Sequence, residues 1–197
     1  MSGAPVGTRD NLIATAQALM RRKGYSATRV EEICQAAGVT KGAFFHHFRS
    51  KDDLAVQALT AFVDERRAQM AGPWASHDDP VARLLGYLEH LYERVLDMDV
   101  GQGCLIAVFT QELSFEDPKM RDRVVAAFDE WTALVKALVD DALAARPCAE
   151  VDSHSLAGHM VASVEGALLV AKARQDREPV RETLMHLRRY VGALFGR

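Results

Sequence analysis

The chain has 197 residues, 49% hydrophobic and 26% charged, with a formal charge of −3, which suits one or two soluble globular domains with a sizeable core. No apolar run approaches the roughly 18 residues of a membrane span, since the best candidate, 166–171, lies between Glu165 and Lys172, and MSGAPVGTRDN lacks the basic start and apolar stretch of a signal peptide. Three cysteines, Cys34, Cys104 and Cys148, are odd in number, far apart and in no CxxC pattern. That argues against a disulfide scaffold or a zinc site and for a reducing, cytoplasmic setting; no membrane partner and no cofactor are expected.

The chain reads as helices from end to end. Leu12, Ile13, Ala16, Leu19 and Met20 make one apolar stripe, closed by Arg21, Arg22, Lys23 and Gly24, cations and a glycine being C-terminal signals. A short second helix carries Val30, Ile33 and Ala37, with Thr28 expected as its N-cap, Glu31 as capping-box partner and Gly38 as its end. A third helix starts near Thr40 and runs to about His47. Ser50 then caps a fourth, with Asp53 as box partner and Leu54, Ala58, Leu59, Phe62 and Val63 along its stripe.

Beyond Gly72 and Pro73 the helices lengthen. Val81, Leu84, Leu85, Leu88, Leu91, Tyr92 and Val95 recur at helical spacing. A short helix, CLIAVFTQEL, follows Gly101 and Gly103. The next begins at Pro118, carries Val124, Phe128, Trp131, Val135, Leu138 and Ala142, and ends at Pro147. Residues 152–175 form another helix, and 180–195 the last, with Val180, Leu184, Leu187, Val191 and Leu194 on one face. No stretch alternates with period two, so the expected class is all-α, with about nine helices and no sheet.

Charge divides unevenly along these elements. Residues 8–51 hold eight basic side chains against three acidic ones, so the window carries +5 and the rest of the chain −8. A basic head on an acidic body is the pattern of a protein whose head alone meets a polyanion.

The head also has the layout of a helix-turn-helix: Val30–Ala37, a turn at Gly38 and Val39, then Thr40–His47, an arrangement that lays its second helix in the DNA major groove. Ile33, Val39 and Phe44 are spaced to pack the two helices together, and Phe48 to lock the end of the second. Thr40, Lys41, Ala43, Phe45, His46 and His47 remain for the outer face. Lysine donates to guanine edges, threonine reaches bases or phosphates, histidines and Lys51 suit phosphates, and Gly42 lets the backbone approach closely.

From Arg9 to about Leu59 the chain resembles the N-terminal domain of the TetR family of transcriptional regulators. The run is ATAQALMRRKGYSATRVEEICQAAGVTKGAFFHHFRSKDDL, with the Gly24-Tyr25…Thr28 spacing and the AAGVTKG…F-x-S-K ending. Cys34 departs from the alanine usual there; a small hydrophobe preserves the packing. The resemblance implies an HTH domain over residues 1–52 with Thr28, Thr40, Lys41, Gly42, Ala43, Phe45, His46, His47 and Lys51 at the DNA. It implies a homodimeric repressor on a palindromic double-stranded operator, and a domain over 53–197 that binds a small-molecule effector and dimerises. GCLIAVFTQELS and EGALLVAKARQ look like one common subgroup.

The helix at 152–175 mixes small residues (Gly158, Ala162, Gly166, Ala167, Ala171) with apolar ones on more than one side, as a helix packed on several sides does; with the last helix it is the expected dimer surface. The expected effector pocket is lined by Leu88, Leu91, Phe109, Phe128 and Trp131. Cys104, opening a short helix, and Lys172 are a thiol and a cation that could act together there; some family members sense electrophiles or oxidants through cysteines. The competing readings are an all-α enzyme and a ligand-binding helical module without DNA binding. No HExxH, phosphate loop or serine-nucleophile motif supports the first; His154 and His159 stand five apart, off one helix face. Glu112 and Glu165 are its only candidate carboxylate pair. Thr28, Thr40, Lys41, Gly42 and Lys51 weigh against the second.

Overall fold

The turns between the first helices show how tightly the sequence sets this architecture. In the computed structural model, which describes residues 7–97 and 99–196, α1 (Thr8–Lys23) ends at Gly24 and α2 (Val30–Ala37) at Gly38, both with positive φ (95° and 69°). Gly38 and Val39 donate back to the carbonyls of Gln35 and Cys34 at 3.2 and 2.9 Å, so three residues separate α2 from α3 (Lys41–His47). The chain continues through α4 (Lys51–Met70), a 3₁₀ turn at Pro73–Ser76, α5 (Pro80–Leu96), α6 (Leu105–Glu112), α7 (Pro118–Ala145), α8 (Ser153–Arg174) and α9 (Glu178–Leu194). The all-α expectation holds: the described residues contain nine α-helices and no strand. The readings made on residues 1–6, the missing leader and the start of the HTH segment, lie outside the described residues.

The chain forms two compact units, and compactness does not divide it after residue 52. The first unit takes the chain up to Ala68 and adds Gln102–Val124; the second takes Gln69–Gly101 and the chain from Val125 onward. In the first, Leu12, Ala16 and Met20 of α1, Ile33 of α2, Phe44 of α3, Leu54 and Ala58 of α4 and Leu105 and Phe109 of α6 are fully buried. Each large side chain among them contributes about 1.5–3 kcal/mol through the water it leaves. In the second, one core joins Trp74 to α5, α7, α8 and α9. Tyr87 of α5, which the stripe reading passed over, is fully buried there and accepts a 2.8 Å hydrogen bond from the Trp131 indole. Arg146 joins this unit's ends, donating to Asp79 at 3.0 Å and to the Phe195 carbonyl at 3.2 Å.

Two local readings shift. The N-cap of α2 is Arg29, not Thr28, and the carboxylate closing the box is Glu32, which accepts from the Arg29 amide at 3.0 Å. Thr28 is drawn inside instead, because its hydroxyl donates to the Gly24 carbonyl at 2.6 Å. The sequence reading also saw no run long enough for a membrane. Among the described residues α8 is long and apolar enough by length and composition, since its charges are confined to Glu165, Lys172 and Arg174. Its apolar sides serve packing: Leu156, Ala157, Met160, Val161, Val164, Ala167 and Ala171 are buried in the second unit's core.

Gly24 and Gly38 separate two effects of side-chain addition. At Gly38 alanine adopts the left-handed helical conformation at a cost of about 1–2 kcal/mol, and at Gly24 (φ 95°, ψ 163°) a conformation that is essentially glycine's alone, at about 1–3 kcal/mol. At Gly38 a Cβ meets open space, whereas at Gly24 it overlaps the Glu112 carboxylate. Gly24→Ala is therefore expected to lower stability clearly more than Gly38→Ala, as measured by urea unfolding.

Candidate nucleic-acid interface

α3 is anchored by its apolar residues and so shows a fixed outer face. Phe44 is fully buried, Phe48 nearly so, and their rings lie 5.7 Å apart. Thr40 caps the helix, its hydroxyl accepting from the Ala43 amide at 3.1 Å, so this threonine shapes the first turn as well as lying on the surface. Opposite the buried side, Lys41, Gly42 and His46 are exposed, Ala43 and His47 half-buried. Phe45 stands 57% exposed, edge-on to Phe44 at 5.1 Å. The two imidazoles touch, with centroids 5.1 Å apart. A Cβ built on Gly42 meets only the Thr40 hydroxyl at an ordinary 3.7 Å, so packing within the chain does not require glycine there.

Thr28 and Lys51 occupy a different place from the one expected. Thr28 is fully buried, so its side chain lies beneath this face. Lys51, in the first turn of α4, turns inward: its ammonium donates to the carbonyls of Tyr25 and Thr28, both at 3.1 Å, and lies 3.9 Å from the Tyr25 ring centre. Two of its three N–H donors are therefore engaged in holding the α1–α2 corner.

The same corner depends on residues the sequence reading did not connect with it. Glu112, at the end of α6, accepts from the amides of Tyr25 (3.2 Å) and Ser26 (2.7 Å). The Tyr25 ring meets Phe109 edge-on at 6.0 Å, and its hydroxyl donates to Asp52. Burial and the Asp52 carboxylate together keep that phenol protonated well beyond the ordinary tyrosine range. The other end of α6 is tied as well, since the Arg21 guanidinium donates to the Gly103 carbonyl at 2.7 Å. α6 is thus a strut of the first unit. No sequence signal marks it, because the partners lie more than 80 residues apart.

The expected effector residues divide between the units. Leu88 and Trp131 belong to the second unit's core, with Leu91 and Phe128 packed against it, and Lys172 is half-buried on α8. Phe109 and Cys104 are in the first unit. Phe109 is fully buried against Tyr25; Cys104, the N-cap residue of α6, is buried with the Arg66 guanidinium 3.6 Å from its sulfur. Glu112 and Glu165, the candidate carboxylate pair, also fall in different units.

A helix-turn-helix with an exposed, basic second helix, joined to a second all-α unit, is the build of a DNA-binding regulator. Comparison with known proteins agrees. Residues 12–58 match the bacterial regulatory proteins of the tetR family, and residues 80–186 the C-terminal domain of LmrA/YxaF-like transcriptional regulators. The chain is 31% identical to the HTH-type transcriptional repressor DhaR of Mycobacterium sp. (strain GP1), over 93% of this chain and 91% of that one. Among solved structures, a TetR transcriptional regulator of Chloroflexus aurantiacus is 30% identical with a TM-score of 0.80, covering 93% of each chain. A TetR regulatory protein of Rhodobacter sphaeroides is 26% identical with a TM-score of 0.83, covering 93% of this chain and 98% of that one. The chain belongs to the TetR family of transcriptional regulators. Regulators of this family bind DNA and small-molecule effectors and act as dimers.

Lys51→Ala takes the ammonium from the Thr28 carbonyl, while the Tyr25 carbonyl keeps the Thr28 amide at 3.0 Å; the loss is about 1–3 kcal/mol. Urea unfolding is expected to show a destabilised protein, so any weakening of DNA binding by this variant has to be read against its folded fraction.

Proposed function

We propose that this regulator is a cytoplasmic, dimeric repressor that reads a palindromic operator with two copies of α3 and leaves it when an effector binds. The observation that carries this reading is the outer face of α3, where Lys41, Gly42, Phe45 and His46 stand exposed on a helix fixed by Phe44 and Phe48. Residues 1–52 hold the DNA-reading part, with Thr40, Lys41, Gly42, Ala43, Phe45, His46 and His47 toward the duplex. Thr28 sets the corner beneath them, and Lys51 has one remaining N–H for a phosphate. Residues 53–197 hold dimerisation and effector binding. Two heads would occupy successive major grooves about one helical turn apart.

The dimer forms on α8 and α9. Leu169 and Val170 of α8 and Met185 and Tyr190 of α9 are exposed apolar side chains, and Ala162 and Gly166 are exposed small ones that let a second copy come close, as a self-complementary two-fold interface requires. Light scattering should return about twice 21.7 kDa; a monomer at every concentration contradicts this.

Binding is tested by gel shift on the DNA upstream of the gene. Lys41→Ala should change sequence preference. Gly42→Ala should separate folding from function: it stabilises the helix by about 0.5–1 kcal/mol yet weakens operator binding, because the added methyl stands where the DNA backbone approaches. Operator binding unchanged in both variants removes α3 from the interface.

The effector reading has two parts. Leu88, Leu91, Phe128 and Trp131 line an apolar site in the second unit, to which half-buried Lys172 of α8 also belongs; Phe109 serves the first unit's packing. Cys104 is the alternative trigger, a thiol beside Arg66 whose modification would displace the start of α6. With N-ethylmaleimide as electrophile and hypochlorite as oxidant, wild type should leave its operator and Cys104→Ser should stay bound. Equal release by both proteins, or by neither, removes Cys104 as the sensor and favours a reversible apolar ligand.

A further inference from the structure

Lys41 opens α3 and Glu31 lies in the first turn of α2, and their side chains form an ion pair across the turn, each more than half exposed. The hydrogen bond from Lys41 is the chief cause that holds the Glu31 carboxyl below the usual range, with a backbone contact and the Lys41 charge adding to it. An exposed carboxylate is out of place on a surface meant for a polyanion. The neighbouring Glu32 has a structural task, closing the cap of α2 and pairing with Lys23 at 2.6 Å. Glu31 instead reaches to the lysine at the start of the DNA-facing helix.

The couple presents an acceptor, Glu31 Oε1, beside a donor, Lys41 Nζ. In the major groove a G·C pair presents the complement: guanine O6 and N7 accept, and cytosine N4 donates. O6 and N4 are about 2.9 Å apart, being joined by a base-pairing hydrogen bond, so one ion pair spans both. A T·A pair fits less well. Adenine N6 donates beside thymine O4 as cytosine N4 does beside guanine O6, but thymine offers the lysine one acceptor next to a methyl where guanine offers two, and adenine N7 turns a lone pair toward the carboxylate. The reversed C·G pair sets the carboxylate against O6.

We propose that Glu31 is a specificity-determining residue, which together with Lys41 reads one G·C base pair in each half-site. Lys41 donates to guanine and Glu31 accepts from the cytosine N4. The carboxylate also repels phosphates, so it weakens binding to unrelated DNA and keeps Lys41 from making a sequence-independent contact. The inference rests on the α3 face being the DNA interface.

Selection from a library of randomised duplexes tests it, with wild type, Glu31→Gln, Glu31→Ala and Lys41→Ala. Glu31 is exposed, and the variants should share the wild-type unfolding midpoint. Wild type should enrich a two-fold motif with one fixed G·C pair per half-site. Both Glu31 variants should enrich the rest of the motif and lose roughly tenfold or more discrimination at that pair, the scale of one good base contact. They should also bind random duplex more tightly, with a salt slope steeper by about 0.9 as Lys41 gains a phosphate. In a fixed operator, N4-methylcytosine at that position still pairs with guanine but no longer offers its groove-facing N–H. It should weaken wild type and leave Glu31→Ala unchanged. Identical motifs from wild type and the Glu31 variants overturn the proposal, as does a preference lost evenly across the half-site. Enrichment of no motif by any of the proteins overturns the DNA-interface reading itself.

Discussion

The corner between α1 and α2 is where this protein's backbone most needs partners from elsewhere. Leaving α1 through Gly24 exposes the amides of Tyr25 and Ser26 and the carbonyls of Tyr25 and Thr28, groups that cost free energy if left unpaired; within the bend the Tyr25 carbonyl accepts from the Thr28 amide at 3.0 Å. A carboxylate from α6 takes the two amides and an ammonium from α4 takes the two carbonyls. Four backbone groups in one short bend thus receive two opposite charges from two different helices. The direction of α2, and with it the outer face of α3, follows from how that bend is held. Gly24 is part of the same arrangement, since the space a side chain would need is filled by the Glu112 carboxylate.

Much of the fold could be read from periodicity. The stripes of α1, α5, α7 and α9 are real buried faces, and Gly24 and Gly38 end helices as their chemistry requires. What escaped is long-range pairing. Thr28 looked like a cap because a hydroxyl precedes the helix; its actual partner is the carbonyl of Gly24, four residues back, and burying it moves the cap to Arg29. Lys51 looked like a phosphate contact because it is basic and adjacent to α3. Only the closed corner shows that carbonyls claim it first. Glu112 stood out only as half of a candidate carboxylate pair with Glu165, and spacing carries no information about amides 87 and 86 residues away. For the candidate interface the exposed and buried phenylalanines were separable in advance, since Phe44 and Phe48 lie four apart on one side of α3 and Phe45 falls off it.

Charge in the head is less free than its count suggests. Of the basic residues between 8 and 51, Lys23 is paired with Glu32, Lys41 with Glu31, and Lys51 is bound to backbone, while Arg21 lies over Phe62, 5.2 Å from the ring centre. A polyanion approaching this surface meets a patterned set of donors rather than a uniform positive field. Such a surface favours recognition by arrangement over attraction by net charge.

The DNA-facing unit is assembled from two separate lengths of chain, with Gly103, Phe109 and Glu112 arriving long after the HTH segment has ended. Its boundaries in sequence are therefore not its boundaries in space. A chimera that joins this HTH to another regulator's body would retain α1 through α4 and lose the carboxylate that Tyr25 and Ser26 require, unless the recipient's own α6 offers an acid at the matching position. The smallest transplantable reading head is discontinuous. Exchanging specificities among such regulators means moving two pieces of sequence together, the second of which has no base to read.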